Sequence, residues 1–234
     1  MRIDICVPAF NEEKIIAEAV ASVRTVLSGI TDAEHHVIVA DNGSTDDTAS
    51  RAEQIEDVSV LSVPNRGKGA AVVAAAGQST ADVFGFIDAD LSADPNDILK
   101  LLEPLVRNEC DIAIGSRLID TSIIKREWLR TFLSRLFNLV RRVVLGVGVS
   151  DTQCGLKLMN VLGRNVLAGC EERGWFFDIE FLAQAERANL RIVEIPIHWN
   201  EHRFEGRKSK LNLVRDGFGT LGALARIYFR TMSK

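Results

Sequence analysis

The sequence is poor in cysteine patterning: Cys6, Cys110, Cys154 and Cys170 are scattered, with no CxxC pair among them. No histidine cluster stands at zinc-binding spacing either, so neither a disulfide framework nor a structural metal is expected, and a reducing compartment is the default. Basic charge is not in excess. The chain carries 28 Lys and Arg against 32 Asp and Glu, a net charge of −4, which argues against a general nucleic-acid binder that must neutralise phosphates. Long apolar runs are missing as well: no window of about 18 uncharged apolar residues predicts a spanning helix. The start, "MRIDICVPAF", runs straight into a strand-like segment without the apolar core and cleavage site of a signal peptide. Two nucleotide-binding signatures are absent. No GxGxxG follows the first strand, "GVGVSD" at 146–151 lies after a helical pattern and lacks the third glycine, and no glycine stands five residues before Gly67 as a Walker A loop requires. A dinucleotide dehydrogenase and a P-loop NTPase are therefore disfavoured. No low-complexity linker and no internal repeat interrupts the chain.

What is present is enough apolar material, 47% of 234 residues, for one sizeable core. The first half alternates short β-branched runs with longer helical patterns. "IDICVP" is followed by a helix over 12–28, "HHVIVAD" by one over 45–55, "VSVLSVP" by one over 68–78, "DVFGFID" by one over 96–107, and then comes "CDIAIGS". That order predicts an α/β fold, a mostly parallel central sheet with helices on its faces. Ligands of such sheets bind outside the carboxyl ends of the strands. Those ends read "VPAFNEE", "ADNGSTDD", "PNRGKG", "DADLSADP" and "GSR", polar or glycine-containing wherever the strand before them is apolar. Some of this is helix initiation: Ser44 with Asp47 fits a capping box, and Pro95 suits a first helical position. Asp41, Asp88 and Asp90 are not explained that way. Beyond Arg117 the pattern turns to a long helix-like stretch, "DTQCGLKLMN", a helical 160–172, "WFFDIEFLAQAERAN", a strand-like "LRIVEIPIHW" and a tail from Leu211, which together predict a C-terminal helical appendage.

Asp88 and Asp90 stand two residues apart at the mouth of an apolar strand, a spacing that predicts both carboxylates on one face. Alone they repel; a divalent cation removes that cost, and Mg²⁺ favours one or two carboxylates together with substrate phosphates. "NRGKGAA" holds Arg66 and Lys68 among glycines at a helix start, where N–H groups and the helix dipole favour anions. His198 and His202 are four apart in a strand-like context, where that spacing forms no helical ligand pair, so they are assigned no metal. Trp128, Trp175 and Trp199 are expected as packing or interface residues.

Taken together, "VPAFNEE", "ADNGSTDDT", "NRGKG", "DADLSADP" and "GSR" resemble, in order, the consecutive motifs of the family 2 glycosyltransferases of the nucleotide-diphospho-sugar (GT-A) fold. The likeness covers nearly the whole chain. "DTQCGLKLM", "WFFDIEFL", "EIPIHW" and a late "SK" resemble the polyprenyl-phosphate branch, closest to the dolichyl-phosphate β-glucosyltransferases. The resemblance implies that Pro8, Phe10, Glu12 and Asp41 hold the nucleoside. It places Asp88, Ala89 and Asp90 on the metal and sugar diphosphate, and Lys68, Arg117, Arg203 and Lys210 on phosphate groups. Ser92 stands where many relatives carry a glutamine metal ligand, and "RFEGRKSK" is one residue longer than the common pattern.

The function so implied is an inverting, Mg²⁺- or Mn²⁺-dependent hexosyltransferase, with a nucleotide-diphospho-sugar donor, UDP-glucose preferred, and a polyprenyl phosphate acceptor. Alternatives are a GDP-mannose user, a transferase with a soluble hydroxyl acceptor, for which Asp178 and Glu180 are base candidates or else polar positions on an amphipathic helix, and a non-catalytic nucleotide-sugar-binding scaffold. Residues 1–210 are expected to form the catalytic domain. Within it the segment 122–148 is basic and amphipathic, with six Lys or Arg between Lys125 and Arg142 against Glu127 alone, as helices lying in a membrane interface are. A second amphipathic helix over 211–234 offers a further interfacial face or a docking surface for a dimer or membrane partner. The expected location is peripheral, on the cytoplasmic face of a membrane.

Overall fold

In a computed structural model the described residues are 1–118, 147–200 and 226, 227, 229 and 230. Seven strands lie among them: β1 Arg2–Ala9, β2 Glu34–Asp41, β3 Val58–Ser62, β4 Val83–Ile87, β5 Ile112–Ser116, β6 Leu156–Asn160 and β7 Ile192–Pro196. They form one sheet in the order β3-β2-β1-β4-β6-β5-β7. The strands β1 to β4 pair in parallel, as does β5 with β7, while β6 runs antiparallel to both β4 and β5. The five expected strands therefore share one direction, but β5 is not the neighbour of β4. The "GLKLMN" strand, which alternation had not separated from its surroundings, is wedged between them.

That insertion matters for the site. Because β6 is antiparallel, its first residue, Leu156, pairs with Ile87, the last of β4. The "CG" ahead of β6 is thus delivered to the carboxyl edge of the sheet, beside Asp88. β4 is buried at all five positions, as a strand covered on both faces must be.

The helices are α1 Ile16–Ser28, α2 Thr48–Glu53, α3 Lys68–Gln78, α4 Asp97–Val106, α5 Val161–Ala168 and α6 Phe177–Arg187. α1 buries Ile16, Ala19, Val20, Val23 and Leu27, the stripe expected of a helix laid on a sheet. α5 begins at Asn160, whose side chain accepts the N–H groups of Leu162 and Gly163, and it ends by Gly169 rather than at 172.

Two expected starts shift. The Ser44–Asp47 capping box does not form: α2 starts at Thr48, and its N-cap Asp47 makes no side-chain capping bond. Ser44 instead accepts the N–H of Asn11 through its hydroxyl, so it clasps the β1 and β2 loops together. Pro95 precedes the N-cap Asn96 of α4 and only contributes its carbonyl, to the N–H of Ile98. Of the expected C-terminal helix, residues 226, 227, 229 and 230 are helical. Ile227 is fully buried in the core, whereas Phe229 is 68% exposed. Arg226 and Arg230 reach Glu172 and Glu171, so here the tail packs on the loop ahead of α6. The remainder of 211–234, the segment 122–146, Trp128, His202, Arg203 and Lys210 lie outside the described residues.

Candidate active site

The carboxyl ends of β1 and β2 are tied to each other. Asn11, held at φ 52°, donates its backbone N–H to Ser44, and its side-chain oxygen accepts the N–H of Thr45. Glu12 is buried; its N–H goes to the Thr48 hydroxyl and its carbonyl closes the turn into α1. Pro8 and Phe10 are partly buried beside this clasp, with the Arg66 guanidinium 5.3 Å from the Phe10 ring centroid. Asp41 is 6% exposed. One carboxylate oxygen accepts the Ser44 N–H, and the other, Oδ1, is buried with no hydrogen-bond partner. An unpaired buried carboxylate oxygen is costly, and a ligand N–H would satisfy it. Asn42, beside it, binds the carbonyls of Val63 and Asn65 and accepts the Gly67 N–H, which fixes the glycine loop to β2.

At the end of β4 the chain turns. Leu91, at φ 48°, donates its N–H to the Asp88 carbonyl, so residues 88–91 form a tight turn. Asp88 and Asp90 therefore do not stand on one strand face as their spacing suggested: the strand stops at Ile87, and the turn rather than the pleat sets the direction of each carboxylate. Asp90 accepts the Ser92 N–H at 3.1 Å, and Ser92 is buried. Ala89 between them is buried. Asp88 is not left facing Asp90 alone. Lys68 Nζ lies 2.6 Å from its Oδ1. Burial pushes the Asp88 carboxyl above its ordinary range, with Lys68 opposing and Asp90 adding to the push. Burial also works against charge on Lys68, yet Asp88, with Asp178 behind it, holds that ammonium above its usual value.

The helix start that carries Lys68 is largely closed by its own chain. The Ala70 N–H is taken by the Arg173 carbonyl. Gly67 sits at φ 138°, and a Cβ on Gly69 would lie 2.6 Å from Phe177 Cβ. The 172–177 segment thus packs directly on the glycine loop, and what this terminus offers an anion is chiefly the Lys68 ammonium. Trp175 on that segment is 48% exposed, with its ring 5.7 Å from Lys68 Nζ. Of the two roles expected for it, packing or interface, its exposure fits the second.

Beneath Asp88 lies an arrangement the sequence reading missed. Lys157, on β6, is fully buried and places Nζ 2.6 Å from Asp178 and 2.7 Å from the Cys154 carbonyl. Its signal was a lysine inside the apolar run "GLKLM", since a lysine is almost never fully buried unless paired. Asp178 and Glu180 are correspondingly not solvent-facing positions of an amphipathic helix. Both are buried, and Glu180 accepts the N–H groups of Glu171 and Glu172 and the Gln184 amide. None of the four cysteines is in a disulfide and all are buried, and burial pushes the Cys154 thiol up to about 11, so thiolate chemistry has no support.

Arg117, at the end of β5, is bound through its guanidinium to both oxygens of Asp151, each at 2.7 Å, and lies 4.6 Å from the Trp199 ring centroid. Burial opposes charge on Asp151, but Arg117 holds its carboxyl below the ordinary range. Past β7 the chain pairs with the loop after β4: Asn200 donates its N–H to Ser92, and Asp94 its N–H to His198. His198 in turn contacts buried Asp97 through Nδ1 at 3.1 Å.

Comparison with known proteins places this arrangement. Residues 4–162, more than half of the chain, match Glycosyl transferase family 2. The chain is 30% identical to glycosyltransferase AglD of Haloferax volcanii, over 98% of this chain but 37% of that protein. It therefore spans little more than a third of that relative's length. It is 32% identical to the dolichyl-phosphate beta-glucosyltransferase of Drosophila melanogaster, over 93% of this chain and 74% of that one. Among solved structures it superposes on glucosyl-3-phosphoglycerate synthase from Mycobacterium tuberculosis in complex with Mn²⁺ and UDP-glucose, with a TM-score of 0.67 and 26% identity, covering 99% of this chain and 77% of that one. The fold is the GT-A-like α/β fold, and the chain belongs to glycosyl transferase family 2.

Proposed function

We propose that this chain is an inverting hexosyltransferase that moves a sugar from a nucleotide-diphospho-sugar, UDP-glucose for preference, onto a polyprenyl or dolichyl phosphate. The observation that carries the reading is the meeting, at the end of β4, of Asp88, Asp90 and the Lys68 ammonium. Gly155 leaves room there, since a Cβ on it would sit 2.5 Å from Asp88 Cγ. The named activities of the relatives supply the reaction class.

The donor set fits a divalent cation. Two carboxylates at a turn are what Mg²⁺ or Mn²⁺ takes alongside substrate phosphates, and Mn²⁺ accompanies UDP-glucose in the structural neighbour. Asp88 and Asp90 would hold it, with Ser92 as a third candidate ligand just past the turn and Ala89 between the two aspartates. When bound, the cation supplies positive charge where the departing diphosphate gathers negative charge. Asp41 Oδ1 would accept a base N–H of the nucleoside, with Pro8, Phe10 and Glu12 lining that end. Lys68 and Arg117 would face phosphate oxygens, as would Arg203 and Lys210 from the segment beyond β7.

A lipid phosphate, whose second pKa is about 6 by analogy with phosphoserine, is largely dianionic at neutral pH. One of its oxygens can attack the anomeric carbon directly. The new C–O bond forms as the bond to the diphosphate breaks, and the electron pair leaves on the diphosphate oxygen. Displacement from the opposite face turns an α-linked donor into a β-linked lipid-phosphate sugar. No strong base is needed, which agrees with Asp178 and Glu180 both being engaged elsewhere. The protein's part is alignment and charge stabilisation.

Among the described residues no helix is long and apolar enough to cross a membrane. The lipid would be met peripherally on the cytoplasmic face, through the basic 122–148 segment and the C-terminal helix. The test is transfer from labelled UDP-glucose or GDP-mannose to a short polyprenyl phosphate or to 3-phosphoglycerate. Labelled lipid from UDP-glucose supports the reading, and lipid labelled from GDP-mannose changes the sugar. Product only with phosphoglycerate, the acceptor in the structural neighbour's name, refutes the lipid acceptor.

A further inference from the structure

The site contains a second ion pair for which the reaction as described has no use. Lys157 and Asp178 are fully buried, 2.6 Å apart, one residue from the Phe177 whose ring lies 5.9 Å from Lys68 Nζ. Phe86 joins the two lysines: its ring centroid is 5.2 Å from Lys157 Nζ and 5.8 Å from Lys68 Nζ. Phe86 and Phe177 pack at 5.7 Å. Charges therefore alternate through this corner as Lys157, Asp178, Lys68, Asp88. Asp178 acts electrostatically on both Lys68 and Asp88. A buried pair of this kind is weak evidence for stability, because apolar replacements of similar size often do as well. Its retention beside the site needs another reason.

Lys68 and a divalent cation compete for the same carboxylate, because Lys68 Nζ occupies Asp88 Oδ1 in the protein alone. For a cation to take Asp88 Oδ1, the ammonium must give way and still have a carboxylate to face. We propose that Asp178, held in place by Lys157, is the positioning residue that receives Lys68 when a cation takes Asp88. The pair thereby sets the affinity of the Asp88–Asp90 turn for its metal. Lys157 holds the Asp178 carboxylate at 2.6 Å, and the rings of Phe86 and Phe177 lie 5.8 and 5.9 Å from the Lys68 ammonium, on which Asp178 acts electrostatically. This inference rests on the metal–diphosphate reading above.

The experiment is Mn²⁺ binding to the full chain without nucleotide, followed by the loss of the free-ion electron paramagnetic resonance signal. Wild type is compared with the paired variant Lys157→Met with Asp178→Asn, which removes both buried charges together and keeps their shapes. Losing a charge-assisted hydrogen bond to the displaced ammonium weakens Mn²⁺ binding about tenfold. Adding Lys68→Met to the paired variant abolishes the difference. Lys68→Met alone, which needs no change in the buried pair and so stands if the paired variant fails to fold, tightens Mn²⁺ binding relative to wild type. A folded paired variant with wild-type Mn²⁺ affinity overturns the inference and leaves the metal reading intact. Lys68→Met with unchanged or weaker binding overturns it too. A wild type that binds no Mn²⁺ overturns both.

Discussion

Gly155 and Asp88 occupy each other's space. The Asp88 N–H donates to the Gly155 carbonyl at 3.1 Å, and its carboxylate fills the volume a Cβ on residue 155 would need. The antiparallel β6 brings this about: a parallel strand in its place would present its other end to β4. Gly155→Ala must therefore displace the Asp88 carboxylate. A misplacement of about 1 Å costs on the order of a hundredfold in turnover. Steady-state kinetics should show that loss, with the circular dichroism spectrum retained.

Asp41 gives a case where function and stability part company. Its Oδ1 is buried without a partner, which costs the free protein and, on the proposed function, would serve a ligand donor. Asp41→Asn offers an amide N–H where an acceptor is needed. Calorimetry should find UDP binding roughly ten- to a hundredfold weaker, from the loss of a hydrogen bond to a charged group. The melting temperature should not fall.

Removing one half of the buried pair is a different matter from removing both. Lys157→Ala leaves Asp178 charged or forced to protonate in a dry interior, which costs about 3–5 kcal/mol. Urea unfolding should show a lowered midpoint, substantially more so than for Lys157→Met with Asp178→Asn.

Acid sensitivity should trace to the base of β5, away from the chemistry. Hydrogen bonds from Arg191, aided by Asn160, hold the Asp111 carboxyl down at about 2 against an ordinary 3.8. A depressed carboxylate stabilises the fold above its unfolded pKa, and that contribution fades as pH falls from about 4 towards 2. Asp111→Asn should thus be less stable than wild type at pH 7. The two proteins should draw together as pH falls from about 4 and converge only near pH 2, in urea unfolding followed by fluorescence.

The scaffold was legible where periodicity is strong. β4, buried on both faces, reads as an unbroken apolar run, and α3 forms over the residues its pattern marks, Lys68–Gln78. What periodicity could not supply was adjacency. β6 is short and its neighbours are distant in sequence, so its place between β4 and β5, and with it the Gly155–Asp88 contact, follows only from the folded sheet. Asp88 and Asp90 were singled out from their position, but their relation was misjudged. A strand geometry was assumed where Leu91 at positive φ makes a turn, and the Lys68 contact depends on a loop approaching from another strand. Lys157 carried a signal in its apolar surroundings. Its partner Asp178, 21 residues away, was read as a base candidate or a polar position on an amphipathic helix, and nothing local in the sequence paired it with Lys157. Trp175 was read as packing or interface, and nothing in its local sequence reveals that the segment lies across the glycine loop.

The measurement that tests the central claim most directly uses labelled UDP-glucose, a short polyprenyl phosphate and the purified chain, with Mn²⁺ or with EDTA, and reads the lipid product and its anomeric configuration. The account expects a β-linked glucosyl lipid phosphate with Mn²⁺, little or none with EDTA, and loss of product in Asp90→Ala. Product formed equally well in EDTA, or an α-linked product, would contradict it.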